Sequence, residues 1–371
     1  MEINERLTAY FEWFHMHPEL SYEEFETTAK IKEILMEEGI DILPCDLETG
    51  LVAVVRGERP GPVRALRCDI DGLPIWEETG LPYVSLYEGR MHACGHDFHI
   101  TAGIGCAVLL KERKQELAGT VKIIFQPAEE SSLGALKILE IGVMEDVDRI
   151  WGLHADPTNE AGTIGIREGY VTAAVDRFVV TVKGVGCHGA HPDDGIDPVP
   201  AAAAIVQGVQ TIVSRNVNAF HPALVSVTRL EAGNTWNVIP ETAVLEGTVR
   251  TMDRQDRVLA EKRVRELAES IARAYGAQAQ TEWIAGPPAV YNDGGMVKVS
   301  IEAAKARGLK VVPEESSMGG DDFSFYEEKV PGCYIKVGTG KGQLIHQPGF
   351  MVDEKVILGT AEYLAELLCG E

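Results

Sequence analysis

The sequence predicts an α/β protein: a three-layer α/β/α domain with a largely parallel sheet, interrupted by a smaller, ferredoxin-like α+β domain. Three observations carry this expectation. Short apolar runs alternate with helical patterns up to about residue 150 and again near the end, as in sheets covered on both faces. Between residues 177 and 287 the order becomes βαββαβ, the split unit of ferredoxin-like domains. Residues able to bind metal or move protons fall at the carboxyl ends of the expected strands, where open α/β sheets bind ligands.

The elements follow in order. Residues 22–39, "YEEFETTAKIKEILMEEG", space their apolar positions as a helix does and close on Gly39. Buried strands are expected at "GLVAVV" (50–55), "VRALRCDI" (63–70), "VKIIF" (121–125) and "RIWGLH" (149–154), with a helix over 99–115. The middle of the chain gives strands at 177–184, 223–233, 241–252 and 277–286, and helices at 198–215 and 256–276. A helix over 294–308, the strand "CYIKVG" (333–338) and a last helix (353–369) return to the first pattern. The larger domain is therefore expected over 1–176 and 288–371, and the insert over 177–287.

Composition excludes several classes. The 371 residues suit two domains, and 45% hydrophobic with 25% charged residues is ordinary globular usage. No run reaches the roughly 18 apolar residues of a membrane span. The opening "MEINERLTAYFEWF" has acids where an export signal has bases, so a cytoplasmic location is expected. Seven scattered cysteines, without a C-x-x-C pair, argue against a disulfide framework. With 57 acidic against 34 basic residues the formal charge is −23, which repels nucleic acid and tolerates divalent cations.

The stretch "MHACGHDFH" (91–99) concentrates metal-binding side chains. Cys94 and His96, two residues apart in an expected loop, can aim at one point and suit zinc and similar metals. Asp69 and Asp71, Glu129 and Glu130, and His154 and Asp156 end three expected strands, and His346 follows a fourth. Any one of these residues alone reads as structural. As a convergent group, Cys94, His96, Glu130, His154 and His346 read as a metal site. A reactive thiol is the weaker alternative, because no base and orienting group flank Cys94. Glu129 beside Glu130 suggests that one carboxylate binds metal while the other moves protons; the plainer alternative is a solvated loop end. Asp97 is a candidate to orient one ligand, and His92 and His99 are expected only to support the loop.

"HPELSYEEFETT", "CDIDGLPIWEETGLPY", "MHACGHDFH", "FQPAEE", "GLHAD", "NVIPETAVLEGTVRT", "MGGDDFSFY" and "LIHQPGF" closely resemble the amidohydrolase branch of the aminoacylase/carboxypeptidase-type metallopeptidases. That branch includes hippurate, auxin-conjugate and N-acetyldiaminopimelate hydrolases. The resemblance implies a catalytic domain holding two divalent metal ions (Zn, Mn, Ni or Co), and an inserted lid that mediates homodimerisation. It implies Cys94, His96, Glu130, His154 and His346 as metal ligands and Glu129 as general base toward a metal-activated water. It further implies His188 as a lid histidine reaching the partner's site, and makes Asn237 and Arg250 candidates for the substrate carboxylate. The implied reaction is hydrolysis of an N-acyl amino acid. A dipeptidase or carboxypeptidase of the same family is the alternative, and a non-catalytic binding protein would normally have lost a ligand or the base. Two departures, "HGAHPDD" with His191 and Asp193, and Asp321 where Glu is commoner, are expected to touch the lid and the pocket rim.

Overall fold

The computed structural model describes residues 2–340 and 342–370, and the chain divides into two compact units. The first runs up to Val171, resumes over Tyr291–Glu315, and continues from Asp321. The second is Thr172–Val290 together with Ser316–Gly320. The short return segment joins the second unit through its backbone: Thr172 bridges Ser317, and the Ala173 N–H donates to Gly319 O at 2.8 Å. Among the described residues no helix is long and apolar enough to cross a membrane.

The first unit is built on an eight-stranded sheet. Its order is Asp41–Ile42, Leu51–Arg56, Ala118–Gln126, Arg59–Asp69, Arg149–Asp156, Gly332–Gly338, Ile164–Ile166 and Val311–Pro313. The four central strands run parallel, while Leu51–Arg56 and Ile164–Ile166 pair antiparallel on their outer sides. Strand alternation covers both faces. Cys68 lies against Gly103 of the helix His96–Glu112, whereas Arg67 turns to the opposite face and meets Gln126 and Asp322. Phe11, Ile34, Ile104 and Leu364, each from a different helix, share one core with Leu66 and Ile123 of the sheet.

The helix His96–Glu112 is buried on almost every side, as its apolar sequence requires. It starts three residues earlier than its apolar pattern suggests, because Gly95 makes a left-handed turn (φ 82°) directly before it. A Cβ on Gly95 would sit 2.7 Å from the Ala155 Cβ, so only glycine lets Cys94 and His96 approach the sheet this closely. The acidic opening segment forms the helix Ile3–Met16, with Leu7, Phe11 and Phe14 buried at helical spacing.

The second unit has an antiparallel sheet in the order Ala223–Ala232, Thr242–Thr251, Ala174–Lys183 and Gln278–Ala285. This is the strand order of the ferredoxin-like βαββαβ unit. Strands such as Ala174–Lys183 alternate buried and more exposed positions, and Val180, Val182 and Leu245 share a core with Ile205 and Val264 of the two helices. Those helices begin at side-chain caps: Asp197 accepts from Val199 N, with Pro198 in the first turn, and Asp253 accepts from Gln255 N and Asp256 N.

One buried charge ties the N-terminal helix to the sheet's loops. His15 lies between Asp97 Oδ2 (2.6 Å) and Glu77 Oε1 (3.1 Å) and is 4% exposed. Burial pulls its pKa down, but the hydrogen bonds with Asp97 and Glu77 outweigh burial and raise it from 6.5 to about 10. A group whose pKa is raised on folding stabilises fully below its unfolded value and loses that contribution as pH rises through the folded one. Stability should therefore fall between pH 6.5 and about 10, and the fall should be shallower in His15→Gln. Urea unfolding at several pH values checks this; equal slopes in both proteins would refute it.

Candidate metal centre

Three strand ends and two loops converge in the first unit. The strands Arg59–Asp69, Ala118–Gln126 and Arg149–Asp156 deliver Asp69, the turn Pro127–Glu130 and His154. The Gly95 turn presents Cys94 and His96, and the loop after Gly332–Gly338 brings His346. Three sets of ligand atoms lie within 4.8 Å of one another: Cys94, His96 and His154; Cys94, Glu130 and His346; and His96, Glu129 and Glu130. All six residues that the sequence nominates for metal and proton chemistry in this unit are thus brought together. The Cys94 thiol belongs to both of the first two sets.

Hydrogen bonds fix how the rings present themselves. His154 Nδ1 lies 2.7 Å from Ala155 O, so Nδ1 carries the proton and Nε2 keeps its lone pair, 3.4 Å from Cys94 Sγ. Burial holds the His154 pKa well below the ordinary value, leaving the ring neutral, the form in which an imidazole can bind metal. His346 adopts a left-handed backbone (φ 63°), and its N–H donates to Ala93 O at 2.8 Å, next to Cys94. Its Nε2 is 3.4 Å from Glu130 Oε1, and that carboxylate raises its pKa. His99 has no nitrogen to spare: Nε2 accepts from Ala155 N at 2.8 Å, and Nδ1 bonds Asp69. It supports the loop as expected.

The donor set fits divalent metal. Both nitrogens of His96 and Glu130 Oε1 are buried without a well-formed hydrogen bond among the described residues, although Asp71 Oδ1 and Asp69 Oδ2 approach His96 at 3.3 and 3.5 Å and His346 Nε2 approaches Glu130 Oε1 at 3.4 Å. Leaving such atoms bare is costly unless a cation takes them. Burial, then the carboxylates of Glu130, Glu129 and Asp69, push the Cys94 thiol far up, so a thiolate there needs a cation beside it. The 3.4 Å between Cys94 Sγ and His154 Nε2 is near the roughly 3.6 Å that Zn–S and Zn–N bonds of about 2.3 and 2.1 Å give at a tetrahedral angle.

Beneath the site lies a network that sequence patterning did not foresee. Arg67 bonds Asp69, Gln126 Oε1 (3.0 Å), Asp321 Oδ1 (3.1 Å) and Asp322 Oδ1 (2.8 Å), all buried. Tyr334 donates to Asp321 and Tyr326 to Gln126, at 2.5 and 2.9 Å. Burial works against charge on Asp69, but Arg67, His96 and His99 outweigh it and hold that carboxyl well below its usual range. Glu129 goes the other way: burial, then Asp321, Glu130 and Asp322, raise it well above the carboxylate range. The one legible hint was that "VRALRCDI", expected as a buried strand, carries two arginines, Arg64 and Arg67.

Two expectations need correcting. Asp321 is not at a pocket rim; it is 3% exposed, because Arg67 and Tyr334 draw it into the interior. Asp97 does not orient Cys94 or His96, since its oxygens are taken by His15 and Phe98 N. Asp71 and Asp69 are the carboxylates beside His96, and Asp71 also accepts the Glu129 and Glu130 N–H groups at 3.1 and 3.0 Å.

His188, Asn237 and Arg250 lie on the second unit. His188 is exposed, opposite Val238 in a short antiparallel pair, and Gly189 N donates to Asn237 O at 2.8 Å. The Ala190 N–H donates to His188 Nδ1 at 3.1 Å, which leaves the proton on Nε2. Arg250 is partly buried, its Nε 3.1 Å from Thr248 Oγ1, and burial lowers its pKa.

Known proteins resemble the chain along its length. It is 48% identical over 354 residues to an N-acetylcysteine deacetylase of Bacillus subtilis (strain 168), covering 95% of this chain and 93% of that protein. It is 36% identical to thermostable carboxypeptidase 1 of Saccharolobus solfataricus, covering 92% and 89% of the two. The crystal structure of a Bacillus subtilis protein described as a dinuclear metal-binding peptidase matches with a TM-score of 0.91 and 45% identity, covering 99% of this chain and 98% of that one. The profile of peptidase family M20/M25/M40 matches residues 65–369. The chain is therefore a hydrolase that belongs to peptidase family M20/M25/M40.

Proposed function

We propose that the protein is a metal-dependent amidohydrolase that releases the amino acid from small N-acyl amino acids. The observation that carries this reading is the convergence of five metal-binding side chains on a buried carboxyl, Glu129, in a chain 48% identical to a deacetylase. Cys94, His96, Glu130, His154 and His346 would hold two divalent ions, with Cys94 facing both ligand sets. When bound, the ions polarise the acyl carbonyl and acidify water in the site. Thiolate and imidazole ligands suit zinc, while manganese, nickel and cobalt remain compatible with the carboxylate.

Glu129 takes the proton from the attacking water on its carboxylate and returns it to the leaving amine. Burial and the neighbouring carboxylates raise its proton affinity, and the positive charge of bound ions would lower it again, so that the carboxylate can take up and release the proton. His188 Nε2 is the protonated nitrogen and would donate to the developing oxyanion, a contact worth about 2.7–4 kcal/mol in comparable sites. Arg250, partly buried, would pair with an incoming carboxylate, and Asn237 would hold the same group. We assign residues 177–287 as the lid and dimerisation domain, through which His188 serves the partner's site. Seven unpaired cysteines agree with a reducing, cytoplasmic setting. The likeness to a carboxypeptidase keeps small peptides as a second reading.

A panel of N-acetyl amino acids, hippurate and dipeptides, assayed with each metal, separates the two; faster turnover of dipeptides would favour the peptidase. Glu129→Gln should keep its metal and lose about 10²–10⁴-fold in kcat; near-wild-type turnover by the metal-replete variant would remove Glu129 as the base. In Cys94→Ala, metal content by elemental analysis should fall together with activity; full occupancy without activity would point to a nucleophilic thiol. Mixing inactive Glu129→Ala and His188→Ala subunits should restore about a quarter of wild-type activity, because hybrid dimers contain one intact site. No recovery despite proven subunit exchange would exclude action across the dimer.

A further inference from the structure

The segment from His15 to Glu24 holds none of the candidate ligands and lies ahead of the family match at residues 65–369, yet it reaches three loops of the site. His15 bonds Asp97 beside the ligand His96, at 2.6 Å. Ser21 donates to Asp71 Oδ2 at 2.7 Å. Glu24, with no exposed surface, accepts the Ala128 N–H at 2.8 Å. The segment is itself anchored: Glu19 accepts from Glu26 N and Thr27 N at the start of the helix Phe25–Glu37, and Thr28 Oγ1 donates to Glu24 O at 2.6 Å.

Ala128 is where this matters most. It precedes Glu129 and Glu130 and holds a left-handed backbone, φ 56°, that a side-chain-bearing residue adopts only at a cost. Three successive N–H groups, of Ala128, Glu129 and Glu130, end on the carboxylates of Glu24 and Asp71. On the far side Ser131 Oγ and Gly134 N both donate to Ala128 O. Gly134 passes so close that a Cβ would sit 1.7 Å from Pro127 O. The turn is thus clamped at both ends, and its direction decides where the Glu129 carboxyl points.

We propose that Glu24 is a positioning residue for the catalytic base: by accepting the Ala128 N–H it holds the left-handed turn that aims Glu129 at the reacting centre. This rests on the reading of Glu129 as the base. Without the acceptor, the buried Ala128 N–H is left bare and the turn relaxes toward ordinary φ, swinging Glu129 without removing any ligand. Burial, then the Asp71 charge, raises the Glu24 pKa to about 7, so the neutral, isosteric glutamine is the mildest replacement.

The test compares metal-replete wild type, Glu24→Ala and Glu24→Gln by steady-state kinetics, metal analysis and thermal unfolding. Glu24→Ala should keep KM and metal content while kcat falls roughly 10²-fold, the scale of an ångström misplacement. Glu24→Gln, whose carbonyl still accepts the N–H, should retain most of kcat. Should Glu24→Ala not fold, Glu24→Asp, its oxygen withdrawn by one methylene, carries the same expectation. An unchanged kcat, a loss that only tracks lost metal, or equal damage in Glu24→Gln overturns the assignment while the activity reading stands. A wild type inactive on every substrate of the panel overturns the activity reading and this assignment with it.

Discussion

A single buried guanidinium organises the catalytic unit. Arg67 sits among Asp69, Asp321 and Asp322, with Glu129 close enough to feel its charge. Asp71 and Glu24 are also buried, and Asp97, buried too, is paired with His15. One cation cannot neutralise so many carboxylates, and the remainder is expressed as opposite shifts: Asp69 is held ionised, while Glu129 and Asp322 are raised, the latter to about 7. Such an arrangement stabilises little by itself, since desolvation of buried charge offsets its Coulomb gain. Its consequence is a pocket rich in carboxylates, which divalent ions would complete. Metal binding and folding of this unit are then coupled through the same groups.

That electrostatic demand explains why so much of the chain is used to hold the loops still. Ala128 and His346 take left-handed conformations at the site itself, and both are held by backbone hydrogen bonds to neighbouring segments. Gly95 lets the Cys94 loop approach Ala155. Carboxylates outside the candidate ligand set, Glu24, Asp71 and Asp97, fasten the turns carrying the candidate ligands. Local strain is sustained because the surrounding helices and sheet fix every flanking position.

Much of this was readable in advance for stated reasons. Strands such as "VKIIF" are apolar throughout because both sheet faces are covered, and their ends place Asp69, Glu129 and His154 on one edge. Cys94 and His96 stood out because two donors flank a glycine. Arg67, Glu24 and Tyr334 were not legible as parts of the site. Their partners, Asp321, Ala128 and again Asp321, lie 254, 104 and 13 residues away, and no periodicity links an arginine in one strand to an aspartate in a distant loop.

The sequence by itself determined the five longer strands of the larger sheet, the ferredoxin-like insert and the candidate ligands, because these depend on local pattern and on the chemistry of single side chains. It did not determine the helix Ile3–Met16 or the short strands Asp41–Ile42, Ile164–Ile166 and Val311–Pro313. Tertiary structure decided the protonation and orientation of those side chains. His99 lost both nitrogens to Asp69 and Ala155, Asp97 turned to His15, and Asp321 went inward to Arg67. Each outcome depends on which groups share one buried volume, where a few ångströms of desolvated distance set hydrogen bonding and charge.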